Sequence, residues 1–443
     1  MDWKVSVSTA AALLLASVGA HGATDVGAYR VDASFLQGKH PLHAHGPVAP
    51  NSTVPGALNK VALQTLLKTA KKGSGLPGVD SVVNFTGQFS APGVDANGNP
   101  QSTWLYSMVG NAPGRGATDI DAPLIPVSVE LLDANGNQAY DPTSGQPLLS
   151  DPHDKIRLTL DSPVFDSALF TSSREVTQFT DAVFRAQFWN DIGESWHTLL
   201  DADVKRGETM KVPMGAYLYS LNADGSCCQF ILLDANTFEA LLFPPTFPVD
   251  NTTLIGAAEL SGAMTTKTIA TFLFPDTYLY EGTSANCCIL GFHTFDEEPG
   301  TKHNGNLPRL YMMIYASWVS PGLFGTPELG FQDVIALSHE MAETFNDPFV
   351  VFDGVHNLTP WWLSGGQCQD DLEVGDVVES LSTDVTFPIA MRNGFLYHPQ
   401  NVALLQWFEF QSPSSALDGA YSYPDPAALP ALSPPEGVNC AAP

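Results

Sequence analysis

Ser338-His339-Glu340-Met341-Ala342-Glu343 holds the residues of this chain best suited to chemistry. On a helix, residues four apart point the same way, so His339 and Glu343 can grip one metal ion. Glu340, between them, can reach a water beside that ion. The two-histidine form of this spacing holds zinc next to a glutamate that handles protons. Here Glu343 replaces the second histidine. With one further carboxylate, such a zinc site is neutral, whereas two histidines and one carboxylate leave it at +1. A less positive site acidifies bound water less. Carboxylate ligands also admit Mn2+, Mg2+ or Ca2+ more readily. The expected ion is Zn2+, with those three as alternatives.

A helix must present these groups. Thr326-Pro327-Glu328 supplies a capping hydroxyl, a first-turn proline and an acid, and predicts the helix start. Phe331, Val334, Ile335, Ser338, Ala342 and Phe345 make its buried face, and Ile335, His339, Glu343 and Asp347 run along the neighbouring stripe. Pro348 ends it, because the residue before proline avoids α geometry. Upstream, Leu307 to Trp318 is an apolar run that predicts a buried strand.

A strand, a short connection and then such a helix resembles the zincin metallopeptidase superfamily. That resemblance implies a strand lying along a peptide substrate, two ligands from the helix and a third from downstream. Glu373-Val374-Gly375-Asp376 is similar to the downstream pair, which implies Glu373 as third ligand and Asp376 as the carboxylate that orients a ligand. His356, Asp347, Asp370 and Asp371 compete for the third place. Ala336 to Glu343, Asn346-Asp347-Pro348 and the downstream motif together resemble the exordium or phosphate-induced protein family and its secreted bacterial relatives. The likeness covers the last third of the chain, with fainter echoes at Phe179 to Trp189 and Gly291-Phe292-His293. It implies His339, Glu343 and Glu373 on the metal and Glu340 as the proton-transferring base. The oxyanion of a cleaved peptide would fall to His293, Tyr397 or His398. It also implies an alternative, because exordium proteins are discussed as extracellular growth proteins: a non-catalytic binding or wall-associated protein with a structural metal.

The remaining chain reads as α+β: a zincin-like domain of mixed sheet and site helix over 251–443, preceded by a β-rich region over 78–250. Val82 to Phe89 and Thr103 to Val109 flank Asp95-Ala96-Asn97-Gly98-Asn99, a hairpin turn because Asn-Gly tolerates positive φ. Asp133-Ala134-Asn135-Gly136-Asn137 repeats it after a strand from Ile125 to Leu132. It lacks the rest of a calcium loop and reads as a turn. Thr177 to Trp189 has helical spacing. Lys211-Val212-Pro213 and Phe230 to Leu233 read as strands, and the chain after Pro424 as an irregular wrap. Residues 21–77 form a linker or propeptide-like segment, where His40, His43 and His45 cluster.

Composition bounds the function. The chain has 443 residues, 44% hydrophobic and 15% charged, with a formal net charge of -28. Such a chain folds around a substantial core, and phosphate repulsion excludes nucleic acid as a partner. The only Lys or Arg after Arg309 is Arg392. Lys4 followed by the apolar run Val5 to Val18 and the small residues Val18-Gly19-Ala20 predicts a signal peptide over 1–20 and a secreted or periplasmic protein. That run is too short for a stable membrane span. Six cysteines, including the adjacent pairs Cys227-Cys228 and Cys287-Cys288 with Cys368 and Cys440, fit disulfides in an oxidising compartment, their connectivity open. Asn51, Asn84, Asn251 and Asn357 each begin an N-x-Ser/Thr triplet. No Gly-x-Ser-x-Gly elbow points to a serine hydrolase. The substrate implied is a peptide or protein.

Overall fold

The computed structural model describes residues 26–39, 60–94, 100–170, 176–245, 249, 251–325, 331–350, 361–363, 367–369, 372–409 and 411–432. The signal peptide, the His40–His45 cluster, the Asp95–Asn99 turn, His356, Asp370, Asp371 and Cys440 lie outside them. Among the described residues no helix is long and apolar enough to cross a membrane.

The fold is α+β, built on a curled mixed sheet of seven strands. Five of them matter here: β1 (Ala117–Leu131), β2 (His197–Val204), β3 (Ile269–Pro275), β4 (Gly291–Glu298) and β5 (Arg309–Trp318). β4 runs antiparallel to β5, β5 parallel to β3, β3 parallel to β1, and β1 parallel to β2. The sheet therefore draws strands from both sides of residue 250. Every residue of β3 is buried. Interior parallel strands are covered on both faces and so read as unbroken apolar runs. Alternation splits them: Leu273, Met312 and Ile314 join one core, while Phe272, Phe274, Met313 and Tyr315 join another.

The predicted strand before the site helix is β5, but its place corrects the expectation drawn from zincins. β5 is paired along one edge to β3 and along the other to β4. Its backbone is therefore committed and cannot receive a substrate strand. β4 holds the outer position and carries His293.

Three helices cover the first face: α1 (Phe179–Gln187), α2 (Ile335–Asn346) and α3 (Val374–Leu381). α1 matches the helix read at Thr177 to Trp189. All twelve residues of α2 are buried, where it packs against β5 and β4. Burying Phe345 or Leu337 there stabilises the fold by ~2 kcal/mol each. Its start corrects the reading at Thr326: residues 331–334 are not helical, and α2 begins at Ile335. The first turn is tied instead by Asp333, a non-glycine residue at φ 46°. Its carboxylate accepts from Val334 N at 2.6 Å and His398 N at 2.9 Å, and sits 2.7 Å from His398 Nδ1. α2 ends at Asn346, next to Asp347-Pro348 as expected.

The long hairpin pairs Asn84–Val94 with Pro100–Val109 antiparallel. Asp133 closes the second Asn-Gly repeat as an Asx turn, its Oδ1 accepting from Asn135 N and Asn137 N at 2.8 and 2.9 Å. The predicted strands at 211–213 and 230–233 appear as Glu208–Val212 and Cys227–Asp234. Each adjacent cysteine pair closes on itself, Cys227 with Cys228 and Cys287 with Cys288.

Glu409 follows the short helix Leu405–Phe408 and gives one pH prediction. Burial, then the charge of Asp191, pushes its carboxyl up to about 7 from 4.5, against the pull of Lys72. A glutamate with a raised folded-state value binds its proton more tightly folded than unfolded. Its favourable contribution is complete below pH 4.5 and is lost as pH rises through about 7. Glu409→Gln removes this loss. The variant should exceed the wild type in stability by ~1–2 kcal/mol at pH 8, after discounting for solvent screening, with the gain vanishing near pH 4. Urea melts at both pH values check this.

Candidate metal centre

α2, α3 and β4 bring five ionisable side chains into the core: His339, Glu340 and Glu343 from α2, Asp376 from α3 and His293 from β4. His339 is 8% exposed, and the others are 5% or less. Charged groups are rarely so buried unless they are paired or hold a metal.

His339 and Glu343, four apart, face one another as predicted. His339 Nε2 lies 3.0 Å from Glu343 Oε2 and 3.4 Å from Asp376 Oδ1. Glu343 Oε2 is also 3.6 Å from His293 Nδ1, and Glu340 Oε2 is 3.3 Å from the same nitrogen. Two sets of ligand atoms result, each within 4.8 Å of one another: His339, Glu343 and Asp376, and His293, Glu340 and Glu343. Either set can hold a metal ion, and Glu343 belongs to both.

The outer nitrogens of both histidines are fixed. Gln400 Nε2 donates to Gly375 O at 2.8 Å, which turns Gln400 Oε1 toward His339 Nδ1 at 3.0 Å. An amide oxygen only accepts, so Nδ1 carries the hydrogen. Glu379 Oε1, at 3.4 Å, favours the same tautomer. Nε2 of a neutral His339 then directs its lone pair at two carboxylate oxygens. His293 repeats the pattern. Its Nε2 lies 3.2 Å from Asp347 O, a carbonyl that also only accepts. Nδ1 is therefore left facing Glu340 and Glu343. Lone pairs opposed in a dry core repel unless a proton or a cation stands between them. Histidines with one nitrogen pinned by an acceptor and the other turned on carboxylates fit a metal centre.

The titration directions say the same. Burial pulls His339 down, but the charges of Glu343 and Glu340 and bonds to Asp376 and Glu343 raise it well above the usual imidazole value. Burial raises Glu340 well above its ordinary value; His339 opposes this, while Glu373, Asp376 and Glu379 add to it. Glu343 is raised by burial, with His339 opposing. Too many acids crowd two imidazoles, and the deficit is positive charge.

Glycines let these groups approach. A Cβ on Gly375 would meet His339 Nδ1 at 2.6 Å, and one on Gly291 would meet Glu340 Cγ at 2.8 Å. Only glycine allows α3 to lie on the imidazole and β4 on the Glu340 side chain. Glu343 Oε1 fastens α3 in place, accepting from Gly375 N at 3.0 Å and Asp376 N at 3.3 Å.

The other predicted residues fall as follows. Glu373 is buried just before α3, near enough for its charge to raise Glu340, but among the described residues neither ligand set includes it. Asp376, expected to orient a ligand, stands with His339 and Glu343 among the groups that could themselves hold an ion. His293, expected near an oxyanion, lies among the ligand atoms. Tyr397 Oη donates to Leu158 O at 2.7 Å and accepts from Asn393 at 2.8 Å, and His398 is bound to Asp333. Asp347 contributes its backbone carbonyl. Gln400 was missed; no spacing tells which downstream amide will return to a helix.

No family model, no curated protein and no solved structure matches the chain.

Proposed function

We propose that the chain is a secreted, metal-dependent peptidase, with Zn2+ the ion held by His339, Glu343 and Asp376. The observation that supports this most is the double tautomer lock: both imidazoles are pinned from behind and both turn a lone pair on a shared carboxylate, Glu343. The donor set fits zinc, which takes imidazole and carboxylate together. Glu373, the third ligand implied by the resemblance, is the reserve donor. Mn2+, Mg2+ and Ca2+ are weaker matches to a set containing imidazole.

A bound zinc ion supplies Lewis acidity and a more acidic water. The chain supplies the rest. Glu340 takes the proton of the attacking water and returns it to the leaving amine. His293, its Nδ1 3.3 Å from Glu340, positions that carboxyl group. Gln400 and Glu379 keep His339 in the required tautomer.

Incubation of the full chain with casein tests this. The expected result is cleavage abolished by a chelator and restored by Zn2+; cleavage indifferent to the chelator would contradict it. The depth of the cluster favours a second reading, in which the ion stabilises a non-catalytic extracellular binding or wall-associated protein. That reading predicts a lower melting temperature on chelation with no casein cleavage at any stage.

A further inference from the structure

Strand alternation turns Asp296 and Glu298 of β4 to the face of the sheet opposite His293. There they meet Glu259 of the helix Leu254–Ser261. Ligand oxygens of Glu259, Asp296 and Glu298 lie within 4.8 Å of one another. Asp296 and Glu298 are both 0% exposed. Neither oxygen of Glu298 receives a hydrogen bond, although both are buried. Arg309 Nη2 stands 3.5 Å from Glu298 Oε2, leaving Oε1 unpaired among the described residues. Glu259 Oε1 is likewise buried without a hydrogen bond.

Charge makes this placement costly as it stands. Three carboxylates face one cation, Arg309, which is anchored by Pro299 O at 3.0 Å and by Tyr311 Oη at 2.5 Å. With all three ionised, two negative charges would remain uncompensated by Arg309, and a dication would cancel them. The scaffold is rigid: β4 is paired to β5 along its length, and the helix is capped by Thr253 at one end and Gly262 at the other.

We propose that Glu259, Asp296 and Glu298 form a second metal site, separate from the His339 centre, for a hard divalent cation. The donors are all oxygen, with no imidazole or thiolate, which selects Ca2+, Mn2+ or Mg2+ over zinc. Oxygens within 4.8 Å of one another can share one ion at bonds of ~2.4 Å. Three carboxylates can supply up to six oxygens, enough for Ca2+.

Calorimetric titration of chelator-stripped, full-length Glu343→Gln protein tests this with Ca2+, Mn2+ and Mg2+, each added alone. That background disables the carboxylate shared by the His339 and His293 ligand sets, so the outcome does not depend on the peptidase reading. We expect one ion of Ca2+ or Mn2+ per chain and a higher melting temperature when it is bound. Adding Glu298→Gln should weaken binding at least ~100-fold and abolish the thermal shift. Glutamine keeps the shape and removes a buried charge, so the variant should fold; Glu259→Gln, at a less buried position, provides a second test. Absence of uptake of all three ions, or uptake unchanged by both glutamine variants, would overturn the site and leave a cluster that holds only protons.

Discussion

Glu340→Gln should lower casein hydrolysis by ~100- to 10,000-fold, the range for loss of a general acid-base group, while zinc content stays at the wild-type level. Glutamine fills the space over Gly291, where Glu340 packs closely, so the fold should be undisturbed. It still bonds His293 but cannot carry a proton between water and amine. The zinc measurement separates two roles the geometry offers Glu340. It belongs to one candidate ligand set with His293 and Glu343, but not to the set around His339. If Glu340→Gln protein loses zinc along with activity, Glu340 is a ligand and the proton-transfer role fails. If activity survives, neither role holds.

Glu343→Ala should have the largest effect on metal binding, because Glu343 belongs to both sets. Zinc affinity should fall more than ~100-fold, beyond the effect of losing an outer hydrogen-bonding partner. The same change should lower stability without metal. It strips the acceptor from Gly375 N and Asp376 N, and each buried N–H left unpaired costs ~1–3 kcal/mol. Glu343→Gln separates the effects. Its amide oxygen can still accept from those two N–H groups, so its melting temperature in chelator should stay near the wild type while zinc affinity still falls. Equal zinc affinity in wild type and both variants would remove Glu343 from the centre.

What the sequence disclosed follows from which contacts are local. The facing of His339 and Glu343 is a property of one helix and depends only on their spacing. Strand β5, helix α1 and the stop at Asp347-Pro348 were readable for the same reason. The start of α2 was not, because a tertiary tie between Asp333 and His398 sets it where the local capping signal at Thr326 pointed earlier. Glu373 stands just before α3 and Asp376 in its first turn, and only the way α3 rests on His339 through Gly375 decides which carboxylate faces the imidazole. Long-range pairing also brings His293 and Gln400 to the site. No spacing in the sequence marks Asp296 and Glu298 as buried. Their burial depends on the helix carrying Glu259, whose approach no periodicity announces.

Zinc bound by the purified, full-length protein, counted beside the same measurement on His339→Ala, tests the central claim most directly. The lone pairs that His339 and His293 turn on shared carboxylates predict about one tightly held zinc per wild-type chain and a much weaker hold in the variant, which keeps only the His293, Glu340 and Glu343 set. A wild-type chain that takes up no zinc from excess, or a variant that holds as much, would contradict it.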